Sequence, residues 1–97
     1  MNQDEQSKLQ QELSRSEKAK QVLENQIFKD SINKLKELYT NSLFSTGVNE
    51  HETREKLWLA YHIVHKVEQN IQEVLDTGKL AKKQLEDYRQ SIQKQKF

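Results

Sequence analysis

The chain has 97 residues, of which 33% are hydrophobic and 32% charged, with a net charge of +1, no proline and no cysteine. A chain of this length makes at most one domain, its low apolar share excludes a large buried core, and the lack of cysteine excludes a disulfide framework, thiolate chemistry and a zinc-finger type of site. The near-neutral balance argues against bulk electrostatic binding to nucleic acid, and plentiful Gln, Lys, Glu and Leu exclude β-structure in favour of long helices.

The start, Met1-Asn2-Gln3-Asp4-Glu5, has neither a basic leader region nor an apolar run, and nothing in the chain approaches the ~20 apolar residues of a membrane span. The expectation is a soluble, unprocessed protein. From Asp4 to Leu43 the pattern is helical but changes in quality. Leu9, Leu13, Leu23 and Ile27 form a thin stripe interrupted by Ser16 and Lys20. A stripe so sparse buries little, which predicts that the first twenty residues fray or are ordered only by a partner. From Ile27 onward Phe28, Ile32, Leu35, Leu38, Tyr39 and Leu43 cover one broad face, as a helix packed on another helix requires. The offset between the two stripes reads as a stutter that locally unwinds any supercoil.

Ser45-Thr46-Gly47 breaks the pattern, and Asn49 with Glu52 three residues on reads as a capping box that starts the next helix. A connection this short makes the helices antiparallel neighbours, with Phe44 and Val48 expected to close the turn over Leu57 and Trp58. Beyond it, Leu57, Ala60, Val64, Val67, Ile71, Val74, Gly78, Ala81, Leu85, Tyr88 and Ile92 recur at alternating steps of three and four. That is a heptad seam whose phase runs straight through Asp76-Thr77-Gly78, so the helix is expected to continue there. The competing reading ends a helix at Thr77 with Gly78 as its left-handed cap, which makes three helices. The predicted fold is all-α: a long antiparallel helical hairpin, coiled-coil-like and oligomeric. Its domains are a polar, weakly amphipathic helical extension at 1–26 and a hairpin core at 27–97 with a basic C-terminal end.

Charge is unevenly placed along the second helix. Residues 49–76 hold six acidic and three basic side chains, whereas 77–97 hold two acidic and six basic, namely Lys79, Lys82, Lys83, Arg89, Lys94 and Lys96. Cations near a helix C-terminus are favoured by its dipole, so the plain reading is a solvated end. The sharper one is a set of phosphate contacts through Lys79, Lys82, Lys83 and Arg89.

At about 100° per residue His51, Glu55, Trp58, His62, His65 and Gln69 share a stripe beside the seam. His62 and His65 are three apart, yet Gln69 is a poor ligand, Glu55 lies roughly 10 Å along the axis from His62, and no second motif completes a tetrahedron. No metal and no cofactor are expected. Trp58, His62 and His65 instead read as a polar packing face, towards the first helix, another copy or a partner, since tryptophan is costly to leave wet. With Val64, Ile71, Val74, Leu85, Tyr88 and Ile92 they form the expected partner or oligomer interface. The chain has no Gly-rich phosphate loop, no cysteine nucleophile, no serine with a His-Asp pair and no paired carboxylates in an apolar cleft, so catalysis on a small-molecule substrate is not expected. The helices flanking Gly47 are too long for a compact helix-turn-helix.

The run Phe44-Ser45-Thr46-Gly47, then Glu52-Thr53-Arg54-Glu55-Lys56-Leu57-Trp58-Leu59-Ala60-Tyr61, then Thr77-Gly78-Lys79-Leu80-Ala81, resembles short helical proteins encoded by tailed bacteriophages. The similarity covers roughly residues 28–86 and carries no catalytic signature. It implies a product made in the host bacterial cytoplasm, incorporated in the virion or not, where small helical proteins serve as scaffolding, capsid or portal accessories, packaging adaptors or inhibitors of host defence. The expected function is therefore a non-enzymatic helical interaction protein that assists virion assembly or DNA packaging. It would form homo-oligomers and dock on a larger phage structural or packaging protein. The alternatives are an inhibitor of a host defence complex and, more weakly, a nucleic-acid binder working through the basic C-terminal helix.

Overall fold

The computed structural model describes residues 1–95. They form three helices and no strand: α1 (Gln3–Glu24), α2 (Gln26–Phe44) and α3 (His51–Gln95). The all-α hairpin expected from the periodicity is what the chain adopts. α3 is uninterrupted through Gly78, whose φ is not positive, so the left-handed cap is not formed there. The third helix arises elsewhere. Asn25 leaves the helical region, at φ −67° and ψ 125°, and its side chain accepts a hydrogen bond from the Phe28 N–H at 2.9 Å. The offset between the two stripes is thus resolved by a one-residue break and a fresh N-cap rather than by a stutter in a continuous helix. Ile27, assigned from the sequence to the first stripe, is 73% exposed, because restarting the helix at Asn25 turns it off the inward face.

Contacts group into two compact units, one of Met1–Val22 with the chain from Ile71 on, the other of Leu23–Asn70. In the first, α1 is antiparallel to the C-terminal half of α3: Leu9 and Glu12 share a groove with Gln84 and Asp87, while Ala19 and Val22 share one with Ile71 and Val74. The first twenty residues, expected from the sequence to fray, are helical from Gln3 on, and two features support that helix. Asn2 Oδ1 accepts from the Glu5 N–H at 2.7 Å and the Asn2 amide donates to the Glu5 carboxylate at 3.3 Å, closing the helix start on itself. Ser16 is also no interruption. It is 5% exposed, one turn before the buried Ala19 and against Gly78 of α3, and its hydroxyl donates to the Leu75 carbonyl at 3.0 Å. Small residues let the backbones approach, so dispersion between them takes the place of large apolar side chains.

Gly78 lies at the closest point. A Cβ there would overlap Ser16 Cβ and Oγ and stand 3.0 Å from the Glu12 carbonyl oxygen. The glycine serves close approach and costs about 1 kcal/mol of helix propensity relative to Ala.

In the second unit α2 is antiparallel to the N-terminal half of α3. Ile32 is buried, Phe28, Tyr39 and Leu43 are half-buried, and across from them Leu57, Ala60, Tyr61 and Val64 are half-buried on α3. The Lys36 ammonium donates to the Glu68 carboxylate at 2.7 Å. With both side chains still partly wet, this pair sets register more than it adds stability. The connection is closed by polar groups. Ser45 Oγ donates to the Asn41 carbonyl at 2.9 Å, Thr46 Oγ1 to the Leu43 carbonyl at 2.7 Å, and Arg54 to the Val48 carbonyl at 2.8 Å. Phe44 and Val48 do not close the turn as expected. Each is 83% exposed, because Leu43 is the last inward position of α2 and the next residue is rotated by about 100° away from α3. Nor does Asn49 cap α3: the Arg54 N–H donates to the Glu50 carbonyl, which makes Glu50 the N-cap, and the Glu50 carboxylate accepts from the Gly47 N–H at 3.0 Å. Glu52, freed of a capping role, pairs with Lys56 one turn on.

Gly78→Ala is expected to lower stability by about 1 kcal/mol or more, since overpacking against a fixed Cβ outweighs the gain in helix propensity. Thermal denaturation followed by circular dichroism reads the loss, and Ser16→Gly in the same chain should remove most of it by vacating the overlapped atoms. A Gly78→Ala chain as stable as the natural one would mean that the helices separate freely.

Candidate interaction surfaces

The candidate partner face on α3 is built by residues one step after the inward positions. Trp58 follows Leu57, His62 follows Tyr61 and His65 follows Val64, so all three are rotated by about 100° from the α2 contact in the same sense. All three are exposed, Trp58 at 55%. Trp58 and His62, one turn apart, meet edge to face with ring centroids 4.1 Å apart at 89°, and the Tyr61 ring approaches His62 at 6.1 Å and 77°. The His62 ring therefore props the indole, limiting its rotamers before any partner arrives. Beside it, Leu43, His51, Arg54, Glu55 and Trp58 line a shallow groove of about 360 Å³. A guanidinium, a carboxylate, an imidazole and an indole edge around an apolar floor can accept a protein side chain with a polar end. Among the described residues no group of three or more His, Cys, Asp or Glu is arranged to hold a metal ion.

The other residues assigned to an interface fall elsewhere. Val64 is half-buried in the same unit as Trp58, whereas Ile71, Val74, Leu85 and Tyr88 are half-buried in the other unit, along the side of α3 that α1 covers; Ile92 is 36% exposed. The seam from Ile71 to Tyr88 is accordingly satisfied in large part within the chain. Lys79, Lys82, Lys83, Arg89 and Lys94 are exposed, and Lys96 lies outside the described residues. Glu86 stands four residues after Lys82, three after Lys83 and three before Arg89, and Asp76 three before Lys79, so an acid sits within one turn of each of the four candidate phosphate contacts and weakens their field.

Three residues expected to pack are turned outward: Leu35 and Leu38 of the α2 face are 37% and 55% exposed, and Val67 of the seam is 46% exposed because Glu68 takes the inward position opposite Lys36. Reading the seam alone also misses Leu59 and Ile63, 59% and 56% exposed, which continue to Val67 as a second apolar line with a period of four. No helix is long and apolar enough to cross a membrane among the described residues.

No family model matches the chain, and no curated protein or solved structure matches it.

Trp58→Ala is expected to leave helicity unchanged and to lower stability by only about 1 kcal/mol, the scale of one aromatic pair at a half-exposed site. Chemical denaturation measures it; a loss of several kcal/mol would place Trp58 in the packed interior instead.

Proposed function

We propose that the chain is a non-enzymatic helical interaction protein that docks on a larger protein of a tailed bacteriophage during virion assembly or DNA packaging. The observation that carries this reading is the exposed indole of Trp58, held by His62 beside the groove of Leu43, His51, Arg54 and Glu55. A large aromatic side chain, wet and braced in one orientation, has the character of a binding hot spot. The phage context comes from the resemblance of residues 28–86 to small tailed-phage proteins and locates the chain in the host cytoplasm, with or without entry into the virion.

An inhibitor of a host defence complex would use the same groove, and the two readings differ only in what the groove receives. Capture with the tagged chain from cells infected by the encoding phage separates them, with a Trp58→Ala chain as the control. Capsid, portal or terminase recovered by the natural chain and lost with Trp58→Ala is the expected result. Recovery of host defence proteins alone would overturn the assembly role. Nucleic-acid binding through Lys79, Lys82, Lys83 and Arg89 would instead fall steeply with salt and with neutralisation of those four, whereas docking through Trp58 should change little between low and physiological salt.

A further inference from the structure

On α2, Leu35 and Leu38 each stand one residue before an inward position, Lys36 facing Glu68 and the half-buried Tyr39. On α3, Leu59, Ile63 and Val67 likewise stand one residue before Ala60, Val64 and Glu68. Each set is thus rotated by about 100° from its helix's inward face, and in the same sense about its own axis. Because the two helices run antiparallel, rotations of the same sense bring both sets to the same side of the pair. Trp58, His62 and His65, one residue after inward positions, fall on the opposite side. The first side therefore carries one apolar patch from two adjacent helices, with exposures of 37% and 55% for Leu35 and Leu38 and of 59%, 56% and 46% for Leu59, Ile63 and Val67. Along its α2 edge runs a shallow groove of about 520 Å³, where Ser31, Lys34, Glu37 and Asn41 provide a polar rim with one charge of each sign.

We propose that this patch pairs with the same patch of a second copy of the chain, completing a four-helix bundle in a two-fold dimer. Two antiparallel helices with a shared apolar face are half of such a bundle, and a two-fold axis sets a patch against itself without requiring any other complementary surface. From these exposures the five side chains leave at most on the order of 500 Å² on each chain, so pairing two patches covers up to about 1,000 Å² before the polar rim is added, close to the lower bound of about 1,200 Å² for stable complexes. The charges nearest the centre, Lys36 and Glu68 between Leu35 and Val67, are paired with each other at 2.7 Å, so self-pairing brings no unpaired charge from them to the contact. The dimer leaves the Trp58 groove open on the far side. The pairing deepens the interaction reading and rests on it, but it is tested without any phage protein.

Sedimentation equilibrium of the full chain should give twice the 11.6 kDa chain mass. Ile63→Glu on α3 and Leu38→Glu on α2 should each weaken dimerisation by at least ~100-fold, with helicity by circular dichroism retained, whereas Gln69→Glu on the opposite side should leave it within a few-fold. If a Glu variant loses helicity, Ile63→Ser and Leu38→Ser carry the same comparison. A natural chain that stays monomeric at hundreds of micromolar overturns the pairing while leaving docking through Trp58 standing. A dimer that persists in both patch variants, or that only Trp58→Glu dissolves, overturns it equally.

Discussion

The first unit depends on one constraint, which is that α1 and α3 come so close at Gly78 that no Cβ fits between them. Contact at that range has to be made by small side chains, and Ser16, Ala19 and Ala81 are the residues buried there. A hydroxyl at such a contact would be costly without a partner, and Ser16 finds one in the Leu75 carbonyl. With the small residues in register, half-buried Leu9 and Leu13 on α1 and Ile71, Val74, Leu85 and Tyr88 on α3 can pack on either side of the close point. A chain only 33% hydrophobic can hold a long helix against another in this way, because van der Waals contact between backbones does not need bulky residues.

The second unit meets the same shortage differently. Its buried apolar residue is Ile32, flanked by half-buried Phe28, Tyr39 and Leu43, and its register is keyed by Lys36 and Glu68. Asn25 makes the change between the two arrangements possible. By leaving the helix for one residue and capping the next, it lets α2 begin in a phase that Leu23 could not have continued. The fresh phase turns Ile27 outward and Phe28 and Ile32 inward. The polar turn at residues 45–50 then holds the start of α3 through hydroxyl, carboxylate and guanidinium bonds, which frees Phe44 and Val48 from the packing role their hydrophobicity suggested.

The helical class, the antiparallel return at Ser45–Val48 and the seam of α3 were legible because each rests on a period repeated over many residues, and repetition averages out local exceptions. What escaped depends on single residues. Ser16 reads as a flaw in an apolar stripe unless its distance from Gly78 is known, and sixty-two positions separate them. Asn25 is one asparagine among six, and only the phase change around it marks it as a cap. Asn49 with Glu52 has capping-box spacing, but Glu50 occupies the position because the hydrogen bonds of the turn determine where the helix can start. For the candidate surfaces, the stripe of Trp58 and His62 was visible from their spacing. Its separation from Ile71, Val74, Leu85 and Tyr88 was not, since a heptad list does not say which arm covers which part of the seam.

α3 changes character along its length, and the change bears on what surrounds it. From Leu57 to Val67 eight of eleven residues are apolar or aromatic and they occur all round the helix, whereas from Thr77 to Asp87 only Leu80, Ala81 and Leu85 are apolar. A helix packed on a single neighbour has about a third of its circumference covered, which suits the later segment: Ala81 is buried and Leu85 half-buried, and Leu80 alone is off the seam. The earlier segment has α2 on one side and apolar residues on both flanks, one flank headed by Ile63 and the other by Trp58. Helices with apolar residues on several sides are stable in water when other helices cover them, and the proposed pairing and docking would supply such cover here. The flanks also differ in chemistry. Leu59, Ile63 and Val67 form an aliphatic line, with Lys56 and Lys66 at its margins, which would suit a bundle contact, while Trp58, His62 and His65 combine ring faces with hydrogen-bonding edges, which would suit a wetter contact with a different protein.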